Sequence, residues 1–171
     1  SLTVFNSNLF SNRITHKIDL KSCASLAEEQ DALEKFLYKK IGNGPGARNE
    51  TDKTGIFLIK RRIGVTDSYA DALKISSLPL TVMQPQIVIF DRGSMIIEHD
   101  ITANMVDGAP EKLFSLALLN GNFYLHGSGF TRKIHAYLIS LNPNSGRLLK
   151  PPTPGGPQSF EIHGGLALTE I

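Results

Sequence analysis

The chain has 171 residues, 41% hydrophobic and 20% charged, with a formal net charge of +2. That balance describes one globular domain spanning 1–171 and argues against a disordered chain or a dedicated basic nucleic-acid arm. Cys23 is the only cysteine, so no intrachain disulfide can form, and a cytoplasmic or other intracellular compartment is expected. No stretch approaches the roughly 20 apolar residues that span a bilayer, and Ser1 to Asn6 lack the basic region and apolar core of a leader.

No internal repeat is visible. Weak alternation over 2–5 and clearer alternation over 14–20, with Ile14, His16, Ile18 and Leu20 on one side, predicts two strands. Residues 25–41 read as the main helix. Ser25 and Glu28 have the spacing of a capping box. Leu26, Leu33, Phe36, Leu37 and Ile41 form one apolar stripe. Acidic Glu28, Glu29 and Asp31 come early, Lys39 and Lys40 come late, and Gly42 stands where a left-handed cap is expected.

Residues 42–55 are rich in Gly, Asn and polar side chains and read as a long mobile loop. A strand over 56–63 follows, with Phe57, Ile59, Arg61 and Ile63 on one side. Thr66 or Asp67 then caps a short helix through Leu73. Residues 78–83 are extended, and Pro79 and Pro85 make them an edge or irregular strand. Gln86–Phe90 and Met95–Ile101 read as a hairpin about Asp91-Arg92-Gly93-Ser94. The unbroken apolar run Ile87-Val88-Ile89-Phe90 suggests a strand covered on both faces.

For 110–119, Pro110 and Gly121 favour a helix, whereas Asn120-Gly121 before Asn122-Phe123-Tyr124-Leu125 favours a hairpin turn, and the helix is the expectation. Strands follow at 122–127 and 131–141. Residues 142–158 form a second mobile loop. Ser159–Ile162 and Leu166–Ile171 close the sheet as a hairpin around Gly164-Gly165. The expected fold class is therefore α+β. It is a strand-rich mixed or antiparallel sheet, or a sandwich, with one amphipathic helix packed on it.

Chemistry-bearing residues are scattered. His16, His99, His126, His135 and His163 show no metal-ligand spacing with one another or with Cys23, and no cofactor motif is present. The segment Phe123-Tyr124-Leu125-His126-Gly127-Ser128-Gly129 resembles, over three or four residues, the His-Gly-Ser motif of ADP-ribosyltransferases of the histidine–tyrosine–glutamate class. That resemblance implies that His126 and Ser128 contact a nicotinamide nucleotide. It departs from the family downstream: only 45 residues follow His126, so Tyr137 and Glu161 or Glu170 would have to fill the remaining roles. As a hydrolase elbow the segment fails, because Leu125 stands where the first glycine belongs. Glu98 and Asp100 share a face of their strand, and with His126 and Ser128 they are the residues of a dispersed enzyme site.

Two basic clusters remain. Lys60 and Arg62 with Arg132 and Lys133 would form one polyanion-binding face, toward nucleic acid or an anionic membrane surface, if their strands are neighbours. Pro151 to Pro157 carries two Pro-x-x-Pro patterns that a partner domain can read. The expected function is a non-enzymatic binding or self-assembly protein, a homo-oligomer comparable in architecture to a viral structural or matrix subunit. A small enzyme around His126 and Ser128 is the alternative.

Overall fold

The structure, a computed structural model, describes residues 13–126, 131–142, 146–150, 152 and 159–168. Its strands are too short to form a core singly, and they are stacked by a repeated winding of the chain. Sheet A holds β1 (His16–Asp19), β4 (Gly55–Lys60), β7 (Gln86–Phe90), β12 (Phe114–Leu118), β15 (Tyr137–Ser140) and β18 (Gly165–Ala167), in that order. Sheet C holds β5 (Leu73–Lys74), β8 (Met95–Ile97), β13 (Phe123–Leu125) and β16 (Leu148–Leu149). Sheet B holds β2 (Tyr38–Ile41), β3 (Arg48–Thr51), β6 (Leu80–Val82), β9 (Ile101–Ala103), β14 (Thr131–Ile134) and β17 (Ser159–Ile162). The chain visits A, C and B in turn, coil after coil, as a parallel β-solenoid does.

The α+β, strand-rich character holds, with one α-helix among the described residues. The expectation of hairpin-built sheets does not. Every pairing is parallel except β2 with β3 and a small hairpin of β10 (Met105–Val106) and β11 (Ala109–Pro110). The Asp91–Ser94 turn is a corner: β7 stays in sheet A and β8 enters sheet C. Gly93 takes φ +89°, and its N–H donates to the Asn120 carbonyl of the next coil at 3.0 Å. A Cβ on Gly121 would lie 2.1 Å from the Gly93 carbonyl oxygen, so these corners stack too closely for a side chain. Gly164 likewise marks a corner between β17 and β18, not a hairpin.

Other expectations change for related reasons. Residues 114–118 are strand, not helix, and all five are buried in the middle of sheet A. Pro110 ends β11, and Gly121 lies at the corner between β12 and β13. β6 lies inside sheet B between β3 and β9, with Pro79 and Pro85 outside it, where they cost no ladder bond. The 131–141 run is two strands, β14 in sheet B and β15 in sheet A, broken at His135-Ala136. The 42–55 segment contains β3, and the 142–158 segment contains β16. The strand beginning at Gly55 ends at Lys60, and Ile63 is 83% exposed. Thr66 caps no helix through Leu73: a 3₁₀ turn covers Tyr69–Asp71, and Leu73 belongs to β5. The expected strand at 2–5 and most of the proline-rich 151–157 segment lie outside the described residues.

The core lies between the sheets. Phe57, Val88, Leu116 and Leu138 stack in register on the inner face of sheet A, all at 0% exposure. Ile97, Leu125, Ile101 and Ile134 meet them from sheets C and B.

Helix α1 (Leu26–Leu37) replaces the sheet C strand in the first coil and closes the N-terminal end. It starts as the sequence indicates: the Glu28 N–H donates to Ser25 Oγ at 3.2 Å, and Glu28 Oε2 accepts from the Ala24 N–H at 2.8 Å. It ends at Leu37, because Tyr38 is extended and begins β2. Gly42, at φ +80°, therefore follows β2 and does not cap the helix. Leu33 and Leu37 are fully buried, as the stripe predicts. Its polar side chains meet the exposed strand edges. Gln30 Oε1 accepts from the Lys74 N–H at 2.8 Å, and Gln30 Nε2 donates to the Lys74 carbonyl at 2.9 Å. The side-chain amide thus completes β5, the edge strand of sheet C, as a neighbouring strand would. Glu34 accepts from the N–H and hydroxyl of Ser77.

Candidate functional site: the outer faces of the solenoid

Side chains alternate in and out along a strand, so each sheet has an outer face set by the residues between its core positions. The three outer faces differ in chemistry.

Sheet B is polar outside. Lys39, Glu50, Thr81 and Thr102 stand in one register row. Lys133 faces Glu161, and Thr131 meets the Ser159 hydroxyl at 2.9 Å. His163 contacts Glu161 and meets the His135 ring edge-on at 5.3 Å. A hydrogen bond and charge from His163 hold the Glu161 carboxyl below the usual carboxylate range.

Sheet C mixes polar and aromatic groups. Its outer row runs Lys74, Ile96, Tyr124 and Leu149. Tyr69 meets Tyr124 edge-on at 5.1 Å. Lys74 Nζ lies 2.6 Å from Glu98 Oε2, and His126 Nδ1 lies 3.9 Å from Glu98 Oε1. Burial pushes the Glu98 carboxyl up, but the Lys74 hydrogen bond and charge outweigh it, so its pKa falls below the ordinary value. An ionised carboxylate committed to lysine is a poor general acid, and 3.9 Å is too long for a hydrogen bond to His126. Ser128 lies outside the described residues. Asp100 does not join Glu98: it accepts from Arg132 Nη1 at 3.1 Å and from the Lys133 N–H at 3.0 Å. No group of three or more metal-ligating side chains occurs among the described residues.

Sheet A is apolar outside across its central strands, with Lys17, Asp19 and Lys60 at the margin. Ile56, Ile87, Ser115, Tyr137 and Gly165 form one register row. Leu58, Ile89, Ala117, Ile139 and Ala167 form the next. The isoleucines and Leu58 are half-buried, and Tyr137 is 36% exposed. Ser115 and Ala117 are only 5% and 4% exposed, because both are short and stand between larger neighbours. The face has relief: β7 is a ridge of isoleucine, β12 a trough, and β15 a second ridge. At the start of the strands a cleft of about 180 Å³ opens between Ile56, Pro85, Ile87 and Leu113. The apolar run 87–90 is covered on one face only, not on both as expected. Val88 and Phe90 are core, while Ile87 and Ile89 remain partly open.

The four basic residues expected to bind polyanions are distributed over two sheets. Lys60 ends β4 on the outer face of sheet A, in register with Asp19. Arg62 lies just beyond, with Nε 3.0 Å from Glu29 Oε2. Arg132 is 8% exposed in sheet B and paired with Asp100, and Lys133 is exposed beside it. Glu29, expected only as an early acidic residue of the helix, and Arg61, expected only on the apolar side of a strand, meet in a buried ion pair. Arg61 is 1% exposed, and its Nη2 donates to Glu29 Oε2 at 3.0 Å. Burial raises the Glu29 pKa, but hydrogen bonds and charge from Arg61 and Arg62 bring it below the ordinary value. This network joins α1 to the end of β4 and has a structural role. Its one sequence signal was a charged residue, Arg61, at a core-facing position of an alternating strand.

No helix among the described residues is long and apolar enough to cross a membrane. Comparison with known proteins finds no matching family model, no matching characterised protein and no matching solved structure.

Proposed function

We propose that this chain is a non-enzymatic binding or self-assembly module whose contact surface is the outer face of sheet A. One observation carries the reading: two consecutive outward rows, from Ile56 and Leu58 across to Tyr137 and Ile139, contain no charged side chain. Contiguous apolar surface of that kind marks contact sites, whereas scattered apolar residues do not. The outer row of sheet B at the same coils is polar, so the apolarity is not a general property of this chain. Polyanion binding by Lys60, Arg62, Arg132 and Lys133 draws less support, since Arg62 and Arg132 already face carboxylates.

The test is binding of the uncharged dye Nile red, at protein concentrations too low for self-association. The wild type should raise dye fluorescence, and an Ile87→Lys/Ile89→Lys variant should lose most of that rise while keeping its far-ultraviolet circular dichroism. Equal dye binding by the two proteins would overturn the reading.

A further inference from the structure

We propose that the occupant of this face is a second copy of the same chain, seated about a two-fold axis that lies between the two sheets and runs parallel to the strands, over the line between β7 and β12. The inference rests on the contact-face reading above and adds the partner and its placement.

The argument begins with the position of the relief. Sheet A has six strands in the order β1, β4, β7, β12, β15, β18, so its midline falls between β7 and β12. The isoleucine ridge stands on one side of that line and the Ser115/Ala117 trough on the other. In an isologous contact, whatever residue i meets in its partner meets residue i in return. Rotation about the midline therefore lays Ile87 and Ile89 of each copy into Ser115 and Ala117 of the other. The β7 ridge and the β12 trough of each copy are used at once, and the large side chains of β4 and β15 meet to either side of them. An axis across the strands would instead set β7 on β7 and trough on trough, leaving a void.

The remaining placements are compatible. Ile56 and Leu58 on β4 come over Tyr137 and Ile139 on β15, apolar on apolar. The charged outer residue of β1, Lys17, comes over Ala167 on β18 at the rim, where water still reaches it. No like charges meet within the contact. An unrelated partner would have no reason to match a relief centred on the sheet's own midline.

Area sets the strength. With strands about 4.8 Å apart and about 3.3 Å per residue, the face projects to roughly 350 Å² per copy. Stable interfaces bury about 800 Å² per partner, so this dimer exchanges and depends on concentration.

A swap of ridge and trough tests the seating. Ala117→Leu adds apolar surface but fills the trough, and Ile89→Ala removes the ridge. Sedimentation equilibrium should show each single variant associating about tenfold more weakly than wild type, the difference that about 1.4 kcal/mol makes. The double variant Ile89→Ala/Ala117→Leu exchanges the two shapes and should return to within about threefold of wild type. Ser115→Leu with Ile87→Ser repeats the swap one row away, should the first set melt early. The seating is overturned if the wild type stays monomeric at its highest attainable concentration. It is also overturned if Ala117→Leu associates as tightly as wild type, or if neither double variant exceeds its weaker single. If Ile87→Lys/Ile89→Lys loses both dye binding and association while the swaps fail, the face is a contact surface and only this placement is wrong.

Discussion

The N-terminal end of the solenoid and the outer face of sheet A both present surface that water covers poorly, and the chain treats them differently. At the N-terminal end, the edge of β5 and the apolar side chains of the helix are closed from within the chain. Leu33 and Leu37 complete the core, Gln30 completes the edge of β5, and Glu29 pairs with both Arg61 and Arg62. On sheet A, the outward rows from Ile56 and Leu58 to Tyr137 and Ile139 stay partly open among the described residues. Open strand edges invite uncontrolled growth of the sheet, whereas an apolar face with defined relief selects one partner. The first is a hazard that the fold removes, and the second is a surface that function can use.

If the helix is a structural closure, breaking it should unfold the protein. Leu37→Asp places a charge at a fully buried position facing the core, and it should cost more than about 4 kcal/mol. Soluble protein melting near wild type would show that α1 is an accessory to the solenoid and not its closure.

The ion network should come next. Glu29→Ala leaves Arg61 buried with its charge uncompensated, a change that costs about 3–5 kcal/mol. The same network sets an acid limit. Glu29 has a folded pKa below its ordinary value, so its contribution is fully present above the unfolded value of about 4.3. It is lost as pH falls through the lower, folded value. Urea midpoints measured from pH 6 downward should fall less steeply below pH 4 in Glu29→Gln than in wild type. Parallel curves would mean that other carboxylates set the acid limit.

The helix was the most legible part of the fold, and the solenoid the least, for definite reasons. Ser25, Glu28, Leu33 and Leu37 act within one local element, so spacing alone reveals them. A corner and a hairpin use the same turn chemistry. Asp91-Arg92-Gly93-Ser94 announces a change of direction but not whether the next strand pairs with the last or enters another sheet. The repeat was hidden because coils differ in length: Phe57 to Val88 is 31 residues, and Leu116 to Leu138 is 22. Inward positions were nevertheless readable, as Phe57 and Ile59 of β4 demonstrate, and Ile134, Ala136 and Leu138 are buried although a corner falls among them. Nothing in the sequence signalled the contact face, because the run Ile87 to Phe90 reads as covered on both sides. Ile56, Ser115 and Tyr137 come from separate windows, and only stacking brings them into one row.

A smaller effect is expected at the seam between helix and sheet. Gln30→Ala removes both bonds to the Lys74 backbone and leaves its N–H and carbonyl partly buried without partners. The loss should be about 1–2 kcal/mol, seen as a lower urea midpoint with unchanged slope. It should also speed amide exchange at Lys74 selectively, whereas uniform acceleration would assign Gln30 to general packing.

The smallest effect on stability belongs to the face itself, and it sharpens the comparison most. Val88 and Ile89 are adjacent in β7, yet they point to opposite sides of sheet A. Val88 is 0% exposed and surrounded by core, so Val88→Lys should abolish folding. Ile89 is half-buried on the outer face, where a lysine can carry its stem along apolar neighbours and lift its ammonium into water. Ile89→Lys should therefore lower stability by less than about 1 kcal/mol in the monomer. The same substitution places a charge in the proposed contact, so its loss of association should far exceed its loss of stability. Chemical denaturation at low protein concentration reads the first quantity, and light scattering across a concentration series reads the second. If Ile89→Lys destabilises the monomer as strongly as Val88→Lys does, the outer face of sheet A is packed within the chain itself, and the distinction between the closed end and the open face disappears.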